Sequence, residues 1–502
     1  MKSGNRERKV ATGIQGLDQI LHGGLPANHL FLVEGHPGTG KTTLALQFLL
    51  EGKRLGEKCL YVTLSESESE LRTVAESHGW SLDGVGLFEL ASLEERLQTE
   101  EQYTVFHPSE VELSQTTKRI CEEVDKLDPS RVVFDSLSEM RLLARDPLRY
   151  RRQILALKQF FSGCHCTVFL LDDRTADETD LQLQSISHGV VLLERMMIEY
   201  GGARRRLTVS KMRGMQFQEG HHDFSIRPGG LVVYPRLVAS QAKVNAVRTG
   251  QREEASSGVP ELDLLLGGGI PFGTSTLVMG PAGCGKSTLI TQYALNLARA
   301  GKRVVCYVFE ETRDNFLERA EGLGLALNEQ ISLGNIVVEQ VDPAEMSPGE
   351  FSYKVRDEVE NRNTKVIVID SLNGYLHSMP SESFLLVQMH ELLVYLNERS
   401  VLTLFVLAQH GLVGTGMHSP VDVTYLADSV ILLRYFEAFG EVRQAIAVIK
   451  KRTGGHERSI REFHLTSKGI KVGEPLTDFD GVLTGTPVFK GKRETLISGE
   501  AD

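Results

Sequence analysis

The sequence predicts an α/β protein that contains two tandem copies of one domain, each a mostly parallel sheet flanked by helices. Two observations predict this class. A glycine-rich segment recurs far along the chain, and each copy alternates short apolar runs with longer amphipathic stretches. Continuous apolar runs are typical of strands that are buried on both faces, as in a parallel sheet covered by helices. Each copy should therefore fold as a complete α/β unit.

Three segments in the first half of the chain recur 245 residues later, all at the same offset. They are Thr12–Asp18 and Ser257–Asp263, Gly23–Pro26 and Gly268–Pro271, and Gly35–Thr43 and Gly280–Thr288. This period is too long for a solenoid and indicates a duplicated domain. We assign residues 1–239 to an N-terminal domain, 240–256 to a polar linker, 257–480 to a C-terminal domain and 481–502 to a loop and mobile tail.

Four apolar runs in each copy are predicted to be strands, and helical segments lie between them. In the first copy they are Leu30–Glu34, Cys59–Leu64, Arg131–Asp135 and Thr167–Leu171. In the second copy they are Thr276–Met279, Val304–Phe309, Val366–Asp370 and Thr403–Leu407. This alternation predicts strands that run parallel to one another.

Composition disfavours several classes of protein. The 502 residues include 55 Lys and Arg against 66 Asp and Glu, a net charge of −11, whereas dedicated nucleic-acid binders are more often basic. No apolar run approaches the roughly 18 residues that cross a bilayer, and Met1–Lys9 precedes no apolar signal core. None of the six cysteines forms a CxxC pair, which favours reduced thiols over a zinc site. We expect a cytoplasmic protein without membrane association, with nucleic acid an improbable partner.

The recurring glycine-rich loops match the pattern G-x-x-x-x-G-K-[ST]. Such a loop needs glycines because its backbone wraps closely round phosphates and points its N–H groups inward. Lys41 and Lys286 would reach the β- and γ-phosphates, while Thr42 and Ser287 would hold Mg²⁺. Each loop lies between a predicted strand and a predicted helix, so we expect one ATP and one Mg²⁺ per copy. The predicted ATP-binding residues are Gly35, Gly38, Thr39, Gly40, Lys41, Thr42 and Thr43, and Gly280, Gly283, Cys284, Gly285, Lys286, Ser287 and Thr288.

A carboxylate ends the third predicted strand of each copy. Asp135 and Asp370 each close an apolar run and are followed by Ser-Leu. An aspartate at the end of a strand can simply cap a turn. Its order after a phosphate loop favours instead a role in the Mg²⁺ shell.

Acidic residues also follow the second predicted strand, where a group that orients or deprotonates the attacking nucleophile is expected. The second copy has Glu310 and Glu311, and the first has Ser65 and Glu66 at the same offset. We predict Glu66, Glu310 and Glu311 to be catalytic, with Lys41 and Lys286, although a glutamate at this position can also be a solvated side chain. Because serine cannot act as a base at neutral pH, the first site should hydrolyse ATP differently or more slowly.

Two Lys-x-Arg pairs end apolar strands late in each copy. These are Lys211 with Arg213 and Lys450 with Arg452. They are candidate ATP-binding cations, because such residues in ring-shaped ATPases often reach the nucleotide of a neighbouring subunit. The alternative is a polar strand end that faces solvent.

The order of phosphate loop, strand-end glutamate and strand-end aspartate resembles RecA-like ATPases of the P-loop NTPase class. The duplicated Gly-[Ile/Val]-x-x-Leu-Asp segments, the Lys-x-Arg pairs, Glu310–Thr312 and Ile460–Phe463 resemble, more narrowly, the KaiC family. The resemblance covers about residues 10–485. It implies a double-ringed homohexamer with ATP between subunits, a slow ATPase in the first ring, and an autokinase and phosphatase in the second that acts on a hydroxyl of the adjacent subunit. It also implies a possible KaiB-like partner.

The sequence departs from the family where phosphorylation is expected. The family has a neighbouring Ser-Thr pair before a strand that resembles Asp428–Leu433, and this chain has Thr424 and Tyr425 there. A two-step Ser/Thr cycle is therefore not expected, whereas phosphorylation of Thr424 is. Gly481–Pro487 could form a loop at the pore of the second ring. These differences favour a KaiC homologue outside the oscillator, in stress or signalling.

Two other functions stay open at this point. A DNA-directed motor would need basic, aromatic loops along a pore, and a net charge of −11 with one Trp disfavours it. A non-catalytic scaffold that only senses ATP would need no turnover at either site.

Overall fold

The computed structural model describes residues 8–90, 108–144, 146–174, 182–198, 201–239, 252–376, 382–409, 423–483 and 487–490. The chain divides into two compact units, Met1–Arg236 and Leu237–Asp502. Residues 240–251 of the predicted linker, and residues 484–486 and 491–502 of the predicted tail, lie outside the described residues.

The first unit alternates strands and helices as the sequence predicts. Its elements are β1 (Lys9–Val10), α1 (Gln15–Ile20), β2 (Leu25–Pro26), β3 (Leu30–Gly35), α2 (Lys41–Arg54), β4 (Cys59–Thr63), α3 (Glu68–Ser77), β5 (Gly86–Glu89), α4 (Pro108–Leu127), β6 (Arg131–Asp135), α5 (Leu137–Ala144), α6 (Pro147–Gly163), β7 (Thr167–Asp172), α7 (Gln182–Ile186), β8 (Gly189–Met196), β9 (Arg204–Met212), β10 (His222–Arg227) and β11 (Gly230–Tyr234).

The second unit repeats this order. Its elements are β12 (Glu254–Ala255), α8 (Pro260–Leu265), β13 (Ile270–Pro271), β14 (Ser275–Gly280), α9 (Lys286–Arg299), β15 (Val304–Val308), α10 (Arg313–Gly322), α11 (Asn328–Ser332), β16 (Ile336–Gln340), α12 (Pro348–Arg362), β17 (Val366–Asp370), α13 (Leu372–Leu376), α14 (Glu382–Glu398), β18 (Leu402–Ala408), β19 (Ser429–Ala438), β20 (Glu441–Lys451), β21 (Arg461–Thr466), β22 (Gly469–Pro475), β23 (Phe479–Asp480) and β24 (Val488–Phe489).

The main sheet of each unit has nine strands in the described residues. The orders are β11-β10-β9-β8-β3-β7-β6-β4-β5 in the first unit and β16-β15-β17-β18-β14-β19-β20-β21-β22 in the second. From β8 to β5, and from β16 to β19, neighbouring strands run parallel. The last three strands of each sheet extend it by antiparallel pairing. The predicted fold class, two tandem α/β domains with mostly parallel sheets, is confirmed.

Both faces of each parallel sheet are covered, which explains why the strands are apolar without alternation. Successive residues of β3 point to opposite faces. Phe31 belongs to the core cluster that contains Phe48 of α2. Leu32 belongs to the cluster on the other face, with Ile154 of α6. A polar residue at any of these positions would be buried, so the strand can carry polar groups only at its ends.

Short pairings lie close to the predicted domain boundaries. β12 pairs with β13, so residues 254–255 join the second unit. β24 pairs with β23, and the ring of Phe489 lies 5.2 Å from that of Phe479. Part of the segment assigned to the tail therefore packs on its own domain.

No helix in the described part of the chain is long and apolar enough to cross a membrane.

Candidate nucleotide-binding sites

The phosphate loop of each unit joins a central strand to a helix at the carboxyl edge of the parallel sheet, where α/β proteins bind ligands. In the first unit the loop leaves β3 at Gly35, and α2 begins at Lys41. In the second unit it leaves β14 at Gly280, and α9 begins at Lys286. All predicted loop residues lie in these two turns or in the first helical turn after them: Gly35, Gly38, Thr39, Gly40, Lys41, Thr42 and Thr43, and Gly280, Gly283, Cys284, Gly285, Lys286, Ser287 and Thr288.

Glycine is required where each loop enters its helix. The N-cap residues Gly40 and Gly285 have φ of 106° and 98°, in the left-handed region. A Cβ on Gly40 would lie 2.6 Å from Cδ1 of Ile226. No side chain among the described residues caps either helix, so the first N–H groups and the positive end of the helix dipole are available to an anion.

The two loop lysines are buried but have different partners. Nζ of Lys41 donates to the carbonyl oxygens of Gly35 at 2.7 Å and His36 at 3.2 Å. It also forms an ion pair with Oδ1 of Asp173 at 2.6 Å. Nζ of Lys286 donates to the carbonyl oxygen of Pro281 at 2.6 Å. Both loops therefore hold their lysine against their own backbone, and the first adds a carboxylate.

In the first unit, Asp135 ends β6 at the same sheet edge and is buried. Its Oδ2 accepts a hydrogen bond from the hydroxyl of Tyr61 at 2.5 Å, and the hydroxyl of Thr42 lies next to that of Tyr61. Burial raises the pKa of Asp135, while the bond from Tyr61 opposes that shift. The two predicted Mg²⁺ ligands, Thr42 and Asp135, thus have a phenol between them.

Glu66 follows β4, which pairs with β6 on the side away from β3 and its phosphate loop. Burial, followed by the negative charges of Asp135, Glu70 and Asp173, raises the pKa of Glu66 to about 7. Its Oε2 is buried and has no hydrogen-bond partner among the described residues. Such a carboxylate is well suited to accept a proton near neutral pH.

In the second unit, Asp370 ends β17 next to the hydroxyl of Ser287, which opposes the rise in the pKa of this buried carboxyl. Burial raises the pKa of Asp370 to about 6. Its Oδ2 is buried without a partner in the described structure. The predicted Mg²⁺ ligands of this unit are therefore next to each other, with one carboxylate oxygen left unsatisfied.

The two glutamates after β15 have separate partners. Oε1 of Glu310 accepts from the hydroxyl of Ser371 at 2.5 Å. Oε1 of Glu311 accepts from Arg319 of α10 at 2.6 Å, in an ion pair that is partly exposed. The guanidinium orients Glu311 and neutralises its charge, so Glu310 is the better placed of the two to act as a base.

The Lys-x-Arg pairs lie away from the phosphate loop of their own unit. Lys211 donates to the carbonyl oxygens of Gln184 and Ser187, at 2.5 and 2.9 Å. That segment leads into β8 beside the amino end of β3, since the amide of His188 donates to the carbonyl of Leu30. Arg213 donates to the carbonyl of Ser185, in the same segment, at 2.7 Å. The structure therefore does not bring this pair to its own site.

Lys450 and Arg452 have the corresponding position in the second unit. Lys450 donates to the carbonyl oxygens of Thr424 and Ala427, at 2.9 and 2.8 Å. Arg452 donates to the carbonyl of Tyr425 at 3.0 Å. The two cations hold the turn that carries the candidate phosphorylation sites.

Comparisons with known proteins agree with this geometry. The family model for the KaiC ATPase matches residues 10–238 and again residues 255–477. The chain belongs to the KaiC family. It is 27% identical to circadian clock protein KaiC3 from Synechocystis sp., over 98% of this chain and 97% of that protein. It is 27% identical to circadian clock oscillator protein KaiC from Synechococcus elongatus, over 95% of this chain and 92% of the relative. The corresponding values for KaiC from Acaryochloris marina are 26%, 95% and 91%.

The resemblance to the KaiC family is therefore confirmed, and the chain is a KaiC-family ATPase with two tandem domains. In this KaiC-family chain Thr424 and Tyr425 occupy a turn before β19. Thr424 is half-buried, and Tyr425 is 52% exposed. Both residues lie at the amino end of β14, because the hydroxyl of Ser275 donates to the carbonyl of Leu426 at 3.2 Å.

Three residues near the sites of this KaiC-family chain were not predicted from the sequence. Asp173 pairs with Lys41, Tyr61 donates to Asp135, and Arg319 pairs with Glu311. The pair Asp172-Asp173 directly after a predicted strand marks Asp173 as an acidic residue at the sheet edge, but it does not indicate the contact with Lys41. Tyr61 lies within an apolar run and Arg319 within a helix, and neither pattern indicates a site.

Proposed function

We propose that the protein is a double-ring homohexameric ATPase in which ATP binds between subunits, and that its second ring phosphorylates Thr424 of the adjacent subunit. Each ring would take the phosphate loop from one subunit and the Lys-x-Arg pair from the next. The proposal depends on one observation above all. In each domain the phosphate loop lies at the carboxyl ends of the parallel strands, whereas the Lys-x-Arg pair holds a segment at their amino ends.

The separation follows from strand length. β14 runs from Ser275, beside the turn with Thr424, to Gly280, where the phosphate loop begins. Five residue steps of a parallel strand cover about 17 Å. Neither the Thr424 hydroxyl nor the Lys450 ammonium can cross this distance to the loop of its own domain without unfolding. The proposal therefore takes these groups from a second copy of the chain.

The residues at each loop fit the magnesium complex of ATP. The donors are the hydroxyl of Thr42 or Ser287 and the carboxylate of Asp135 or Asp370, the hard oxygen ligands that Mg²⁺ prefers. Oδ2 of Asp370, which has no partner among the described residues, is also suited to bind a cation at that position. Bound Mg²⁺ would neutralise charge on the phosphate oxygens. Lys41 and Lys286 would leave their backbone partners and bind the same phosphates.

Two carboxylates serve as the proposed bases. In the first domain Glu66 would take a proton from water, and loss of the γ-phosphoryl group to that water gives ADP and phosphate. In the second domain Glu310 would take the proton of the Thr424 hydroxyl of the adjacent subunit. The Thr424 Oγ1 bond to the γ-phosphorus forms as the bond to the bridging oxygen breaks, and ADP leaves.

The first domain, with Ser65 in place of a second glutamate, is proposed to be the slower hydrolytic ring. We also propose a cytoplasmic role in timing, stress or signalling. A KaiB-like protein is the proposed partner of the first ring.

A mixing experiment tests transfer between subunits. The Lys286→Ala chain keeps Thr424 but lacks the loop lysine, and a size-tagged Thr424→Ala chain keeps the loop but lacks the acceptor. The two are mixed before γ-labelled ATP and Mg²⁺ are added. We expect label on the Lys286→Ala chain in the mixture and on neither chain alone.

The matched control replaces the first chain by the Lys286→Ala, Thr424→Ala double variant, which should stay unlabelled. Label on wild-type chains with none in the mixture would contradict transfer between subunits. Hydrolysis without label on any chain would reduce the function to a two-ring ATPase.

A further inference from the structure

We infer that Asp173 competes with the phosphates of ATP for Lys41, so that the first-domain site binds free nucleotide more weakly than its magnesium complex. The inference rests on the proposed function in one respect, that the first phosphate loop binds ATP. Asp173 follows β7 and has no role in the sequence pattern that identifies the site. Its contact with the loop lysine is the observation that carries the inference.

The contact is a short ion pair between a buried lysine and a partly buried aspartate. Nζ of Lys41 lies 2.6 Å from Oδ1 of Asp173, with the lysine side chain 8% exposed and the aspartate 30%. Charge-assisted hydrogen bonds of this length are roughly twice as strong as neutral ones. Because Lys41 must reach the phosphates, nucleotide binding has to break or weaken this pair.

Asp173 is held in place from its other side. The hydroxyl of Ser138 donates to Oδ2 of Asp173 at 3.1 Å. The hydroxyls of Ser136 and Ser138 are 2.6 Å apart. Asp173 therefore stays beside the loop after Lys41 moves away, where its negative charge opposes the negative charge of the phosphates. Mg²⁺ offsets that repulsion, whereas free ATP lacks the compensating charge.

In the described part of the second domain, this competitor is absent. By strand register, Ala408 stands where the first domain has Asp173, and Asn373 stands where it has Ser138. The side chain of Asn373 accepts from the amide of Ala408 at 2.7 Å and donates to its carbonyl at 3.3 Å. The same two positions thus fix the strand end in both domains, but among the described residues only the first domain presents a carboxylate to the loop lysine.

The test uses the full-length chain with Lys286→Ala, so that only the first site responds. Binding of a fluorescent ATP analogue is titrated with Mg²⁺ and with EDTA, before and after Asp173→Asn. We expect Asp173→Asn to tighten binding about tenfold in EDTA and less in Mg²⁺. The ratio of the two dissociation constants should therefore fall, which simple loss of structure would not produce.

Asp172→Asn is the matched control, since Asp172 pairs with Arg141 at 3.0 Å rather than with Lys41. It should leave the ratio unchanged. If Asp173→Asn binds the ATP analogue equally or more weakly in EDTA, the competition by Asp173 is overturned, and the proposed ATP site is not affected. If Lys286→Ala binds no nucleotide, the proposed ATP site of the first domain fails as well, and the inference fails with it.

Discussion

The two candidate nucleotide sites of this chain share the loop, the sheet edge, the strand-end aspartate and a glutamate after the neighbouring strand (Glu66 or Glu311), but each has one further carboxylate on a different strand. In the second domain it is Glu310, after β15, held by the hydroxyl of Ser371. In the first domain Ser65 stands at that position, and Asp173 after β7 is held by Ser138 instead. The fold thus supports a carboxylate at either strand end, and in the part of the chain that the structure describes only the Asp173 position contacts a loop lysine.

A second difference lies beside the strand-end aspartate. In the first domain the hydroxyl of Tyr61 lies between Thr42 and Asp135. In the second domain the position of Tyr61 is occupied by Cys306, and Ser287 lies next to Asp370. The two predicted Mg²⁺ ligands therefore have a phenol between them in the first domain and are next to each other in the second.

The largest expected effect concerns the pH dependence of ATP hydrolysis at the first site. In the Lys286→Ala chain, kcat/KM for ATP hydrolysis should rise with pH and level off above about 7, because deprotonated Glu66 is the proposed base and its pKa is raised to about 7. Below that pH, kcat/KM should fall about tenfold per unit as Glu66 is protonated. Steady-state rates across this range measure the profile.

Glu66→Gln in the same chain is the control. It should lower kcat/KM by about a hundredfold or more and leave a flat profile. An equally steep profile in Glu66→Gln would show that another group sets the pH dependence and that Glu66 is not the base.

A smaller effect, on the free energy of unfolding, is expected from changes beside the strand-end aspartate. Tyr61→Phe removes a hydrogen bond to a buried carboxylate, which should lower the free energy of unfolding of the first domain by about 2 kcal/mol. Tyr307→Phe in the second domain is a control for the substitution itself at a non-equivalent position, because the Tyr307 hydroxyl is buried without a partner among the described residues. It should cost nothing or stabilise the domain. Thermal unfolding of both variants measures the difference, and equal losses would contradict it.

Much of the fold could be predicted because the parallel strands are buried on both faces. The apolar run Arg131–Asp135 matches β6 residue for residue, and Leu30–Glu34 is one residue shorter than β3. The loops were predictable because a phosphate-binding turn needs glycine at fixed spacing. The roles assigned to Glu66 and Asp135 stay predictions, although the structure places both beside the loop.

Asp173 could not be placed from the sequence because chain order differs from sheet order. β7 follows β6 in the chain but lies between β3 and β6 in the sheet, which brings its end next to Lys41. The role of Tyr61 was not predicted for a related reason, since its partner Asp135 is on a neighbouring strand 74 residues away. Both contacts depend on pairing between strands, which periodicity along one segment does not reveal.

One measurement tests most directly whether the two domains divide hydrolysis and phosphorylation. Purified protein is incubated with Mg²⁺ and γ-labelled ATP, and label on protein is followed together with free phosphate, beside Lys41→Ala and Lys286→Ala. The account predicts that label on Thr424 is lost in Lys286→Ala and persists in Lys41→Ala, while Lys286→Ala still releases phosphate. Label that persists in Lys286→Ala, or is lost only in Lys41→Ala, would contradict it.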